Sequence, residues 1–203
     1  MSSDIPLLFR QALMQCISPH HPIDKEEAGA IASFFKLQKF KRKASLLSAG
    51  ETARWLYFVV EGVLHMYYAD DRGQAHSCHF FMPGEIATDL ESFSKQTAAD
   101  NYIEALTGVS CLAISCKDTV ALMERSDVFN RYVTRIVETV AMQNIARTKD
   151  LLSLQPEARY QKLLITRPDL LQAVPLKYIA RFLGMSPENL SRIRNRLTSG
   201  ASD

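Results

Sequence analysis

GETARWLYFVVEGVLHMYYADDRGQAHSCHFFMPGE, residues 50–85, sets short apolar runs between closely spaced turn signals. LYFVV and VLHMYY alternate as half-buried strands do. Glu61-Gly62, Asp70-Asp71-Arg72-Gly73 and Pro83-Gly84 mark turns between such runs. The texture extends outward in both directions. LQKFKRKASLLSAGE precedes it, with a turn signal at Ala49-Gly50, and YIEALTGVSCLAIS follows, so residues 36–116 read as one β-rich region. Several short strands at this spacing predict a barrel or sandwich rather than alternating β and α units.

Helical patterns flank it. Leu7, Leu8, Leu13 and Met14, then Ala28, Ile31, Ala32 and Phe35, recur at helical spacing within residues 1–35, and Asp24 suits an N-cap before KEEAGAIASFF. From Lys117 to Leu154 no glycine or proline interrupts a long helical stretch. Val133, Val137, Val140, Asn144, Arg147 and Leu151 fall there at alternating steps of four and three, the spacing of a coiled-coil seam. That helix either lies on the β region alone or also pairs with a second copy, with Asn144 as a polar residue setting register. Pro156 opens a new helix that ends before Pro168, a short turn or helix follows, and VPLKYIARFLGMSPENLSRIRNRL carries two more helices.

The fold class expected is α+β, divided into residues 1–116, 117–154 and 155–203. Of the 203 residues, 47% are hydrophobic and 23% charged, with a formal net charge of +2. No apolar run approaches the roughly 18–20 residues that cross a bilayer, and the N-terminus lacks the pattern of a signal peptide. The expectation is a cytoplasmic protein with no membrane partner. Cys16, Cys78, Cys111 and Cys116 form no C-x-x-C pair, and Cys111 and Cys116 read as buried small residues. His65, His76 and His79 read as ordinary strand residues, so no metal or other cofactor is expected. No nucleophile–base constellation or phosphate-binding glycine loop is visible, which argues against an enzyme.

Charge is concentrated near the C-terminus. Lys177, Arg181, Arg192, Arg194 and Arg196 lie between Pro175 and Leu197, where Glu188 is the only acid. Leu176–Leu183 and Pro187–Leu197 form two predicted helices around Gly184, which suits a helix C-terminus. Ser186 suits an N-cap, Pro187 a first helical position and Glu188 the positive end of the dipole. Leu190, Ile193 and Leu197 make the buried face. Asn189, Arg192 and Arg196 share the outer one, with Glu188 and Ser191 near its start. This is a helix-turn-helix pattern. Arginine, asparagine and glutamate suit base edges in a major groove, and Ser186 with the free N–H groups at the helix start suits a phosphate.

The β-rich region resembles the cyclic-nucleotide-binding β-roll (a jelly roll) of the catabolite activator protein and fumarate–nitrate regulator (Crp/Fnr) superfamily of bacterial transcription factors. The resemblance rests on Gly50-Glu51, Tyr57-Phe58-Val59, Glu61-Gly62, Tyr67-Tyr68, Gly73 and Phe81-Met82-Pro83-Gly84-Glu85. It also rests on the order β-roll, long helix, helix-turn-helix, and covers nearly the whole chain. The family implies a homodimer joined through the long helix, bound to double-stranded palindromic DNA, with RNA polymerase and a small-molecule effector as further partners. In nucleotide-binding members a glycine-glutamate pair and an arginine followed by a small polar residue hold the ribose and phosphate. Gly84-Glu85 matches the first part. Ala99 and Asp100 stand at the second, where Asp100 adds repulsion toward a phosphate and no cation offsets it. Asn144 falls where such members place a polar ligand contact. Cyclic-nucleotide binding is therefore expected to be lost, and Glu85 to be structural. The cysteines lack the N-terminal cluster of the oxygen-sensing branch. Pro187-Glu188 replaces the family's arginine-glutamate pair, so base preference should differ. No β-hairpin wing follows the last helix, and TSGASD reads as a frayed tail.

Two functions follow. One is a dimeric, sequence-specific DNA-binding transcription regulator whose β-roll does not answer cyclic AMP. The other is a small-molecule sensor acting through protein association, with a vestigial DNA-binding motif.

Overall fold

The computed structural model describes residues 5–19 and 23–199. Two short helices come first, α1 (Leu7–Ile17) and α2 (Lys25–Ser33), with the Asp24 carboxylate capping α2 by accepting from the Glu27 amide at 2.8 Å. The strands are β1 (Lys36–Phe40), β2 (Ser45–Leu47), β3 (Trp55–Glu61), β4 (Leu64–Ala69), β5 (Ala75–Phe81), β6 (Ile86–Ala87), β7 (Tyr102–Ala105) and β8 (Val109–Ser115). A six-residue helix, α3 (Leu90–Lys95), separates β6 from β7. The strands form two four-stranded sheets, ordered β1-β8-β3-β6 and β2-β7-β4-β5. The structure is thus the α+β fold with a β-roll that the sequence implied.

The tight β3–β4 turn needs Gly62. Its φ is +86°, and a Cβ there would collide with the Gly108 carbonyl. In the first sheet β3 pairs antiparallel with β8, Phe58 opposite Leu112 and Tyr57 opposite Ala113. Both strands are buried along most of their length, so LYFVV does not alternate between buried and exposed faces as expected, and the two sequences run almost continuously apolar.

By compactness the chain divides into two units: residues 1–66 with 80–140, and residues 67–79 with 141–203. In the first, Leu13, Ile31, Phe58, Leu112, Ile114 and Phe129 are fully buried. Phe35 meets Phe129 edge-on at 6.2 Å. Each such side chain contributes on the order of 1.5–3 kcal/mol of transfer free energy. The α1 face differs from expectation: Phe9, Leu13 and Ile17 are buried, whereas Leu7 and Leu8 are exposed. Cys111 is buried as expected, with its thiol pKa pushed up to about 12 by desolvation. Cys116 is only half-buried, and its thiol donates to the Phe93 carbonyl.

The uninterrupted helical stretch proves to be two helices, α4 (Cys116–Arg125) and α5 (Asp127–Ser153). Ser126 between them is extended, at φ −132° and ψ 109°. Its hydroxyl accepts from the Phe129 amide at 3.2 Å and donates to Glu27 at 2.9 Å, so a serine cap makes the break without glycine or proline. The second unit holds the tip of the β4–β5 hairpin, the later part of α5, and the helices α6 (Pro156–Thr166), α7 (Pro168–Ala173), α8 (Leu176–Phe182) and α9 (Pro187–Ser199). Tyr160, Leu163, Leu170, Ile179, Leu190 and Ile193 are among its buried residues. Because α9 reaches Ser199, the first two residues of the expected tail are helical, and Gly200–Asp203 lie outside the described residues.

Candidate nucleic-acid interface and effector cassette

Helices α8 and α9 enclose a tight turn. Gly184 takes φ +67°, which a side chain would strain. The Ser186 hydroxyl accepts from the Asn189 amide at 3.2 Å, capping α9, and Pro187 follows at the first helical position. The Glu188 carboxylate lies below its usual pKa because it accepts from its own backbone amide and from the Ser186 hydroxyl, with Arg192 adding attraction. Leu190 and Ile193 are buried and Leu197 is half-buried. Ser186, Glu188, Ser191, Arg192 and Arg196 are exposed, and Asn189 is half-exposed. Arg196 is committed in part: its guanidinium pairs with Glu157 on α6 at 3.1 Å. The structure therefore brings the six candidate DNA-contacting residues onto one helix and its cap, with Arg192 the arginine whose side chain extends from the middle of that face.

In the β-roll, the Gly84-Glu85 pair forms the β5–β6 turn. Gly84 has φ +90°, and the Glu85 carboxylate accepts from the Met82 amide at 3.0 Å, a structural role of the kind expected for it. Ala99 is buried, and its amide and carbonyl pair with Glu51 and Gly50 at 2.8 Å each. Asp100 is exposed. The acid that sequence reasoning missed is Asp89. It is 6% exposed, caps α3 by accepting from the Ser92 amide at 3.0 Å, and accepts from the Asn101 side chain at 2.7 Å. Its signal was present as an N-cap aspartate before LESFSK, but Thr88-Asp89 does not spell a glycine-glutamate pair. Buried Ser92 ties this loop to the strand region, donating to the Thr97 carbonyl at 2.5 Å and accepting from the Ala53 amide at 2.9 Å.

A cavity of about 470 Å³ opens beside this loop, lined by Leu46, Leu47, Gly50, Glu51, Thr52, Ala53, Arg54, Trp55, Tyr57, Thr88 and Ile103. None of the five residues read as an effector pocket, Gly84, Glu85, Ala99, Asp100 and Asn144, is in that lining. It contains one cation, Arg54, and one carboxylate, Glu51, so a phosphate entering it would meet opposed charges.

The coiled-coil seam divides. Val133 packs against the first unit's core, and Val140 is half-buried. Arg147 is turned inward onto the carbonyls of Ser77, Cys78 and Phe182. Val137, Asn144 and Leu151 are exposed. The most exposed apolar residues of α5 are Met142, Ile145 and Leu152, none of them in the expected seam, with Ile145 and Leu152 one residue beyond it. Ile145, Thr148 and Leu152 line a shallow apolar surface together with Asn144.

Residues 37–126 match the family described as Cyclic nucleotide-binding domain. The chain is 26% identical over 173 residues to the cAMP-activated global transcriptional regulator CRP of Haemophilus influenzae, covering 77% of this chain and 75% of that protein. It is 23% identical to the CRP of Salmonella typhimurium over 79% of this chain and 81% of that one. Over most of its length the chain is thus similar to regulators of the Crp/Fnr superfamily. Solved structures share the fold: FixK2 from Bradyrhizobium japonicum at TM-score 0.72 and 14% identity, covering 82% of this chain and 86% of that chain. The Thermus thermophilus Catabolite Activator Protein matches at TM-score 0.57 and 20% identity, covering 92% and 88%. The chain combines the β-roll with the α8–α9 motif, and both Asp89 and Ala99 are buried. Among the described residues no helix is long and apolar enough to cross a membrane.

Proposed function

We propose that the protein is a dimeric, sequence-specific DNA-binding transcription regulator whose β-roll does not answer cyclic AMP. The observation that carries the reading is α9: a capped, exposed helix start with Arg192 one turn on and a buried Leu190–Ile193 face behind it. In this reading Arg192 and Asn189 read base edges, and Ser186 with the first amides of α9 meets a phosphate. Glu188, Ser191 and Arg196 flank them, Arg196 after leaving Glu157. The likeness to Crp/Fnr regulators supports a symmetric pair of reading heads on a palindrome, about one helical turn apart. The exposed Ile145, Thr148 and Leu152 of α5 supply an apolar surface for the second copy, with Asn144 beside them. RNA polymerase is the natural protein partner of such a regulator.

Loss of cyclic-nucleotide binding is supported by Asp89. Its carboxylate occupies the start of α3, and Ala99 offers no cation opposite it. Whatever small molecule the 470 Å³ cavity accepts must suit Trp55, Tyr57 and the opposed Glu51 and Arg54. Neither a resident metal nor another cofactor enters this reading. The test is duplex binding by fluorescence anisotropy at two salt concentrations. A palindrome preference that weakens with salt and with Arg192→Ala supports it. Equal binding to every duplex contradicts it.

A further inference from the structure

Arg147 is a half-buried cation whose partners are neutral. Its Nη1 donates to the Cys78 carbonyl at 3.0 Å, and its Nη2 to the carbonyls of Ser77 at 2.8 Å and Phe182 at 3.1 Å. The guanidinium stacks on the Phe182 ring at 4.5 Å. No carboxylate lies within ion-pairing distance of it among the described residues. Burial also lowers its pKa, as expected for a cation taken from water. An isolated charge in such a place is costly unless its bonds are well made.

The three carbonyls come from two different elements of the second unit. Ser77 and Cys78 lie on β5, the outer strand of its sheet. Phe182 is the last residue of α8, so its carbonyl lies at the end of that helix. The negative end of the helix favours a cation there. Two residues later Gly184 begins the turn into α9. The β4–β5 hairpin is braced on its own account: Tyr68 stacks on His76 at 4.9 Å, and the His76 ring bonds to Asp70 at 2.9 Å. One guanidinium thus joins a stiffened hairpin to the end of the helix that precedes the reading helix.

We infer that Arg147 is the positioning residue of the reading head, fixing the end of α8 to the edge of the β4–β5 hairpin so that α9 is held in one orientation. This rests on the DNA-binding reading, and it makes the hairpin an input to α9: a change in β5 reaches α9 through Arg147 and not through DNA contact.

The experiment uses the full chain and its Arg147→Met and Arg147→Lys variants. Amide exchange is followed by mass spectrometry without DNA, and duplex affinity is measured alongside Arg192→Ala. In both Arg147 variants exchange should speed at residues 77–79 and 182–186 together and stay unchanged at β3 and β8. Duplex affinity should fall about 3- to 30-fold, the range expected for a coupling residue that touches no ligand. Arg147→Lys keeps the charge without the planar fork and carries the test if Arg147→Met fails to fold. Faster exchange at the hairpin alone, or Arg147 variants that bind duplex as tightly as a DNA-binding wild type, overturns the inference. A wild type that binds no duplex overturns the DNA reading and the positioning role with it, while joint loosening at the two segments still registers the physical link.

Discussion

Helix α3 starts after Asp89 and helix α9 after Ser186, and the two caps differ in charge and burial. Asp89 is buried, spends its carboxylate on the Ser92 amide and on Asn101, and so fills the positive end of its own helix. Ser186 is exposed and neutral, occupies one amide, and has Arg192 a turn and a half further along the same helix. In the proposed function the first arrangement repels an incoming phosphate and the second receives one. On that proposal the chain combines a cyclic-nucleotide-binding-like β-roll with an anion-receiving helix start in the C-terminal motif.

The comparison can be broken at either end. The largest effect is expected on the α9 side: Arg192→Ala should weaken specific duplex binding by about 1–3 kcal/mol, or roughly 5- to 150-fold, in an anisotropy titration. Unchanged affinity would remove α9 as the reading surface. At α3, Asp89→Ala leaves a buried amide and the Asn101 side chain without their acceptor. It should cost about 1–3 kcal/mol in urea unfolding, whereas Asp89→Asn, an equally good cap, should cost much less. Equal losses in the two variants would mean that the charge, rather than the bonds, holds the loop. Ser186→Ala should cost about 1 kcal/mol of stability or less at its exposed site, with a parallel loss of duplex affinity.

The smallest effect concerns pH. Glu188 has its pKa depressed in the folded state, by its own amide and Ser186 before any contribution from Arg192. Its stabilisation of α9 is therefore complete above the ordinary glutamate pKa and is lost as pH falls through the depressed one. Helicity followed by circular dichroism on acidification should show a component that Glu188→Gln removes. A component unchanged in that variant would assign it to another carboxylate.

Much of this was legible because local chemistry and tertiary structure agree. Asp24, Gly184, Ser186 and Pro187 adopt the roles their residue types favour, and the turn glycines punctuate the β-roll where strands end. The failures share a cause: periodicity alone does not say which face a fold uses. Leu7 and Leu8 fit the apolar spacing of α1 yet lie outside, because Phe9, Leu13 and Ile17 form the face that packs. Arg147 fits a seam by spacing, but the edge carbonyls of β5 draw it inward. Ser126 ends a helix by an extended backbone and a hydroxyl cap, a signal that a search for glycine or proline passes over. Asp89 was hidden by a motif spelling: Gly84-Glu85 matches the family's letters, whereas Asp89 is the carboxylate bonded into the segment that holds Ala99 and Asp100.

The most direct test of the central claim is a selection of genomic fragments by the purified protein, read by sequencing, at two salt concentrations and with and without cyclic AMP. The account expects one enriched palindrome, the same in both nucleotide conditions and weaker at high salt. A palindrome recovered only with cyclic AMP would contradict the reading of Asp89 and Ala99. No enriched sequence in any condition would contradict the assignment of α9 as a DNA-reading helix.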